Sequence, residues 1–460
     1  MTISRALVDT ALAAATDTRH LTVEAGALAA VPAAYIAIFA GKPAQVVADA
    51  TTWEVAGQRV DGLLRAAGVV TMPPIVLPLP LHADFEQVLA LQERLAEHDA
   101  TPVTVGSGTI NDLTKLAAHR RGRLYMVVAT AASMDGYAAF GASITRDGFK
   151  QTMACAAPAA IVADLDVVAA APTPLTAAGY GDLIGKVPAG ADWLLADALE
   201  IDPIIDTAWA LVQHPLRASL SAPDRLRDHD PEATGAFFLG LVMSGLAMQA
   251  TQSSRPASGA EHLISHLWEM TGLTHDGVAP SHGTKVGIGT VLVTLLYERL
   301  LHRDLSVLDS EACVAALPSP TALEAQVRAA LPPGEIADRA VTESLAKHPT
   351  PAELRARFRL LRTQWPTLRE RITAQLLPAP ELRQMLGTLG GAAAPAEIGV
   401  SAAQLHADLH TARLIRRRYT VLDLLAETGL LPDLCTEVVD ALYVPGTPSR
   451  GVQSRAGAAH

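Results

Sequence analysis

Short apolar runs alternate with helical patterns through the first third of the chain. Tyr35 to Phe39, Gln45 to Ala48, Ile75 to Leu77, Val103 to Val105 and Tyr125 to Val128 read as strands. Between them, Asp84 to His98 places Val88, Leu91 and Leu95 at helical spacing, with Glu86, Glu93 and Glu97 off that stripe. Strands alternating with such helices predict a parallel sheet with crossover helices, and apolar strands fit a sheet covered on both faces. After about Asp164 the pattern changes. Pro172 and Pro174 punctuate a loop, and from Leu175 onward most segments read as helix. In the Arg-rich stretch Pro351 to Leu376, Leu354, Phe358, Leu361 and Leu368 form the apolar stripe, and Pro366 is expected to break or kink it.

The uncharged run Ala233 to Ser254 is long enough to raise a membrane span. Its Gly235, Gly240, Ser244, Gly245 and Gln249, and the lack of a second such run, favour a buried core helix instead. The chain's Gly-, Ser-, Pro- and Ala-rich end, 444–460, is expected to be disordered. The pattern as a whole predicts an α/β N-terminal lobe with a Rossmann-like parallel sheet over 1–165. An all-α C-terminal lobe follows over 166–443, and the cleft between the lobes is the default site.

Half of the 460 residues are hydrophobic, which excludes a globally disordered chain. Only 4% are aromatic; Ala, Leu and Val carry the apolar mass, which suits helices and buried parallel strands. Lys and Arg number 36 against 47 Asp and Glu, and the net charge of −11 disfavours nucleic acid as a partner. Cys155, Cys313 and Cys435 form no CxxC pair and no disulfide framework, so a reducing cytoplasm is the expected setting. Asp9 and Asp17 interrupt any apolar leader. A homo-oligomer is compatible with the helical lobe, but no feature demands one.

Val103 to Lys115 reads as a strand, a glycine turn and a helix start. Gly106 and Gly108 allow close backbone approach, and the free N–H groups of the following helix suit a pyrophosphate. With only two glycines the turn is not the full dinucleotide fingerprint, and an ordinary strand-to-helix connection looks similar. Asp49 closes the second strand, where a carboxylate can hold ribose hydroxyls or simply cap a helix. Thr130 to Gly136 forms a second loop after a strand. Further on, Asp182 sits among Gly179, Gly181 and Gly185. His262 and His266 share a helix face at i and i+4, and His282 precedes an apolar helix. One carboxylate with two or three imidazoles suits a divalent transition metal with an open position for substrate.

The order GSGTIND, TAASMDGYA, GYGDLIGK, SSRPASGAEHLISH and SHGTKVGIGT resembles the sn-glycerol-1-phosphate dehydrogenase family, its bacterial branch most closely. That family lies within the group of metal-dependent glycerol dehydrogenase and dehydroquinate synthase-like proteins. The likeness is strong over about residues 20 to 300 and weaker beyond. It implies a dehydroquinate synthase-like fold, NAD(H) or NADP(H), and one divalent metal: zinc, nickel or iron. By resemblance, Gly108, Thr109, Ile110, Asn111 and Asp112 hold the pyrophosphate, and Thr130, Ala131, Ala132 and Ser133 line the cofactor. Asp182, His262 and His282 ligate the metal. Asp135 and Asp182 meet substrate, and His266, one turn after His262, contacts substrate or relays a proton. The family pattern carries Ser where this chain has Ala139, a cofactor contact, so one hydrogen bond is missing. The implied reaction reduces the ketone of dihydroxyacetone phosphate to sn-glycerol 1-phosphate. Its phosphate needs cations, for which Arg255 and Lys186 are the candidates beside the metal motifs, salt bridges being their other reading. Arg416, Arg417 and Arg418 read as a solvated helix face. Rival readings are another phosphorylated ketone or a polyol as substrate, a dehydroquinate synthase-like lyase, and a non-catalytic dinucleotide-binding protein.

Overall fold

The computed structural model describes residues 3–146 and 149–444. The expected disorder of the tail falls on residues 445–460, outside that range apart from Val444.

Among the described residues, eight strands form in chain order: β1 (His20–Glu24), β2 (Ala44–Asp49), β3 (Ile75–Leu77), β4 (Thr101–Gly106), β5 (Met126–Ala129), β6 (Ala142–Arg146), β7 (Phe149–Met153) and β8 (Ala160–Asp164). Six make one parallel sheet in the order β1-β8-β5-β4-β2-β3, while β6 and β7 pair as a separate antiparallel hairpin. Val46 lies opposite Val103, Val105 opposite Val128, and Val128 opposite Val162. Every residue of β4, β5 and β8 is buried, which explains their apolar composition. Val128 and Val162 face one core with Tyr35 and Val60. Val127 and Ile161 face another, shared with Phe237, Phe238 and Leu241 of the helical lobe. The second lobe therefore covers one face of the sheet directly.

The chain runs from β2 outward to β3, then returns to β4 on the other side of β2. The order reverses between β2 and β4, and ligands of open α/β sheets sit outside the carboxyl ends at such a point. Asp49 and Gly106 end those two strands.

Tyr35 to Phe39 and Pro366 depart from the sequence expectation. Tyr35 to Phe39 is no strand but the end of helix Val31–Phe39. A short apolar run is ambiguous between strand and buried helix. Here Val31, Ala34, Tyr35 and Phe39 are buried at helical spacing while Ile36 is 48% exposed, and Pro32 sits in the first turn, where its missing N–H costs nothing. Pro366 does not end its helix, which runs unbroken over Pro351–Gln375. The buried stripe Leu354, Phe358, Leu361, Trp365, Leu368 and Ile372 holds it on both sides, while Pro366 is on the solvent face, where a carbonyl left unbonded can meet water. Arg359, Arg362, Arg369 and Arg371 are exposed, as the helix pattern implies.

The uncharged run forms helix Pro231–Thr251. It is long and apolar enough to cross a membrane, yet 83% of its apolar window is buried within the chain. It is the core helix expected from its glycines.

Candidate metal centre and cofactor cleft

β4 ends at Gly106, and helix Gly108–Arg120 begins two residues later. A Cβ on Gly106 would stand 2.0 Å from Ile110 Cγ2, so any larger residue would have to displace Ile110. The Ser107 side chain does not cap the helix, and no described residue accepts from the N–H groups of Gly108, Thr109 or Ile110. Those amides remain available to an anion at the positive end of the helix. Asn111 and Asp112 turn the other way. The Tyr125 hydroxyl donates to Asn111 Oδ1 at 3.1 Å, and the Ser143 N–H donates to Asp112 Oδ2 at 3.1 Å. Both side chains are buried in the lobe, while the backbone amides of the first turn stay open.

Asp49 stands at the carboxyl end of β2, and its Oδ1 accepts the Thr52 N–H at 2.8 Å in a capping box. The capping reading is realised; the carboxylate remains half-buried beside the turn. The Thr130 N–H donates to Gly106 O at 3.1 Å, tying the second loop to the first. Within that loop Ala131 O and Ser133 Oγ both engage the Tyr137 hydroxyl, at 2.7 and 3.2 Å. Ala132 and Ala139 are buried, and Ala139 offers its carbonyl to Lys115 Nζ at 2.9 Å.

Asp182 lies on helix Thr173–Ile184, His262 on helix Ala260–Met270, and His282 at the start of helix His282–Leu300. The glycines around Asp182 explain how these elements meet. A Cβ on Gly181 would stand 2.2 Å from Gly283 O, and one on Gly283 would stand 1.7 Å from Ala178 O. The backbones touch, and Asp182 reaches His282. One donor atom from each of Asp182, His262 and His282 lies within 4.8 Å of the others. His262 Nε2 is 3.5 Å from Asp182 Oδ1. His266 is close by, its ring centroid 6.0 Å from that of His262 and 5.7 Å from that of His282.

Two carboxylates unremarked in the sequence aim these rings. Glu261 Oε1 lies 2.8 Å from His262 Nδ1, and Glu269 lies 2.9 Å from His282 Nδ1 and 3.2 Å from His266 Nδ1. Engaging Nδ1 leaves Nε2 as the nitrogen that can face an ion, which is how metal-bound histidines are usually held. The donor set thus fits a divalent ion. Asp182 is fully buried; burial alone would raise its pKa, but Lys186 beside it, with His262 and His282, holds it well below the usual carboxylate range. Burial works against a charged His262, yet its bonds to Asp182 and Glu261 raise its pKa above 6.5. Burial brings His266 down to about 4 despite Glu269, so its imidazole is neutral at neutral pH.

Both expected phosphate cations already have partners within the chain. Lys186 Nζ is fully buried, 2.6 Å from Asp182 Oδ1 and 2.9 Å from Asp135 Oδ2. It neutralises two carboxylates rather than presenting a charge to the cleft. Arg255 is 4% exposed and donates to Tyr419 O at 3.0 Å and Asp192 O at 2.7 Å, with Asp202 at 3.1 Å. It ties helix Lys186–Ala198 to the loops that carry Asp202 and Tyr419. Arg416 to Arg418 lie in a loop, not on a helix face, and Arg418 donates to Ser254 Oγ and Ser258 Oγ at 2.6 and 2.5 Å. Asp135 does reach the cluster: its N–H donates to Asp182 Oδ2 at 2.9 Å. A separate cavity of about 290 Å³, lined by Cys313, Leu323, Lys347 and Arg413 among others, shares none of these residues. Donor chemistry rather than concavity locates the site.

Residues 22–172 match the family of iron-containing alcohol dehydrogenases. The NAD(P)+ glycerol-1-phosphate dehydrogenase of Halalkalibacterium halodurans is 36% identical over 269 residues, 58% of this chain and 67% of that protein. That of Geobacillus thermodenitrificans is 28% identical over 87% of this chain and 90% of its own length. In fold the chain is similar to a probable glycerol dehydrogenase from Sinorhizobium meliloti, with a TM-score of 0.56 at 17% identity, covering 92% of this chain and 97% of that one. The motifs, the α/β-plus-helical architecture and these relatives agree: the chain belongs to the glycerol-1-phosphate dehydrogenase family of NAD(P)-linked oxidoreductases.

Proposed function

We propose that the chain reduces dihydroxyacetone phosphate to sn-glycerol 1-phosphate with NADH or NADPH. The observation that carries this reading is the convergence of Asp182, His262 and His282 next to the Asp135 end of the cofactor loop. In it, residues 1–165 bind the dinucleotide and 166–443 supply the metal ligands. The free amides of Gly108, Thr109 and Ile110 take the pyrophosphate, Thr130 to Ser133 line the cofactor, and Asp49 faces the ribose. A divalent ion held by Asp182, His262 and His282 supplies Lewis acidity toward the ketone oxygen. Zinc, nickel and iron all suit this donor set. Asp135 orients the substrate at the lobe boundary. His266, neutral and held by Glu269, relays a proton from water to the product oxygen rather than storing one.

One observation favours a second reading. Neither Lys186 nor Arg255 is presented to a phosphate, as a non-phosphorylated polyol or ketone substrate would allow. Product analysis separates the two. Dihydroxyacetone phosphate should yield glycerol phosphate of the sn-1 configuration, while equal turnover of dihydroxyacetone would favour the polyol reading.

A further inference from the structure

Asp182 uses both of its oxygens. Oδ1 faces His262 Nε2 and takes Lys186 Nζ, and Oδ2 accepts the N–H of Asp135. The carboxylate that belongs to the metal cluster is therefore also the anchor of the loop that lines the cofactor. Asp135 is fixed to the helical lobe a second time, because its own carboxylate takes Lys186 Nζ at 2.9 Å and the Ser244 hydroxyl at 3.0 Å. The next residue is fixed in the opposite direction. Lys115 Nζ, fully buried, donates to Gly136 O at 2.8 Å, Ala139 O at 2.9 Å and Gly141 O at 3.1 Å. Lys115 belongs to helix Gly108–Arg120, whose first turn offers the free amides. Met134, just before Asp135, touches that same turn. Its Sδ lies 3.1 Å from where a Cβ on Gly108 would stand.

Residues 134–136 thus bridge the anion-binding turn and a metal ligand through a continuous chain of part-buried contacts. We propose that metal binding and dinucleotide binding are thermodynamically coupled through this bridge, with Lys115 and Ser244 as its positioning residues. The proposal rests on the dehydrogenase reading above. An ion that fixes Asp182 also fixes the Asp135 amide, so the loop is already ordered when the dinucleotide arrives and less ordering entropy opposes binding. By linkage, the dinucleotide must strengthen metal binding by the same factor.

The test uses ADP-ribose, which lacks the nicotinamide ring and so cannot reach the metal position through it. Its Kd is measured by calorimetry on chelator-stripped and zinc-reconstituted full-length protein, and the zinc Kd is measured with and without ADP-ribose. The expected result is tightening by at least about fivefold, equal in both directions. Ser244→Ala and Lys115→Met should each shrink that factor toward one while zinc affinity without nucleotide stays near that of the parent. A merely structural loss would instead weaken both affinities and leave their ratio unchanged. Equal ADP-ribose affinity with and without zinc overturns the coupling, as does an undiminished factor in a folded Ser244→Ala protein. Absence of any ADP-ribose or NADH binding would instead overturn the dehydrogenase reading itself.

Discussion

Glu261 and Glu269 each grip an imidazole by Nδ1, so the aim of His262 and His282 depends on groups that never touch the ion. Replacing Glu269 by Gln should lower metal affinity by about 10- to 100-fold, read by chelator competition. An unchanged affinity would show that the rings are aimed by packing alone. Acid should also release the ion. His262 has a pKa raised above 6.5 in the metal-free protein and must lose its proton to bind, so metal affinity should fall as pH drops through that raised pKa. A flat pH profile there would contradict His262 as a ligand. At this scale the cluster was legible: a glycine-embedded Asp and an i, i+4 His pair are local patterns. Glu261 was not, because a sequence neighbour of a helical His rarely faces the same way. Arg255 donates to Tyr419 and Asp192, a direction that adjacency to a motif does not reveal, since it does not say which way a long side chain turns. Glu269 carried a weak signal, three positions after His266.

Asp182 meets His282 because two helices cross backbone to backbone. Gly181→Ala would place a Cβ 2.2 Å from Gly283 O and force the helices apart. Overpacking of this kind costs about 1–3 kcal/mol. If about 1.4 kcal/mol of it falls on the cluster, metal affinity drops about tenfold, which calorimetry on the folded variant would read. Undiminished affinity would mean the crossing is not what brings the ligands together. The sequence marked these glycines but not their partner, since a close approach between segments about one hundred residues apart leaves no local pattern. The same limit hid β1, an edge strand with half-buried residues, and turned helix Val31–Phe39 into a strand. Periodicity worked where the stripe was long, as in helix Phe85–Ala96.

Across the whole molecule the lobes share a core, with Val127 and Ile161 of the sheet packed with Phe237 and Leu241 of the long helix. The clamp around Arg255 acts at this scale as well, drawing on Asp192, Asp202 and Tyr419. Arg255→Met should destabilise the fold by about 3 kcal/mol, at the low end for a broken buried ion pair because Asp202 is 46% exposed. In the surviving folded fraction it should leave KM for a phosphorylated ketone unchanged. A stable variant with raised KM would restore Arg255 as a phosphate ligand. The order of motifs revealed the architecture and the family. It did not reveal what binds phosphate, because that depends on side-chain direction across lobes. The most direct measurement is nicotinamide oxidation by metal-reconstituted protein, with NADH and NADPH, on dihydroxyacetone phosphate and dihydroxyacetone, with and without chelator. Reduction of dihydroxyacetone phosphate by this chain requires chelator-sensitive turnover that strongly prefers the phosphate ester. Absence of turnover with that ester, despite bound metal and NADH, would contradict it.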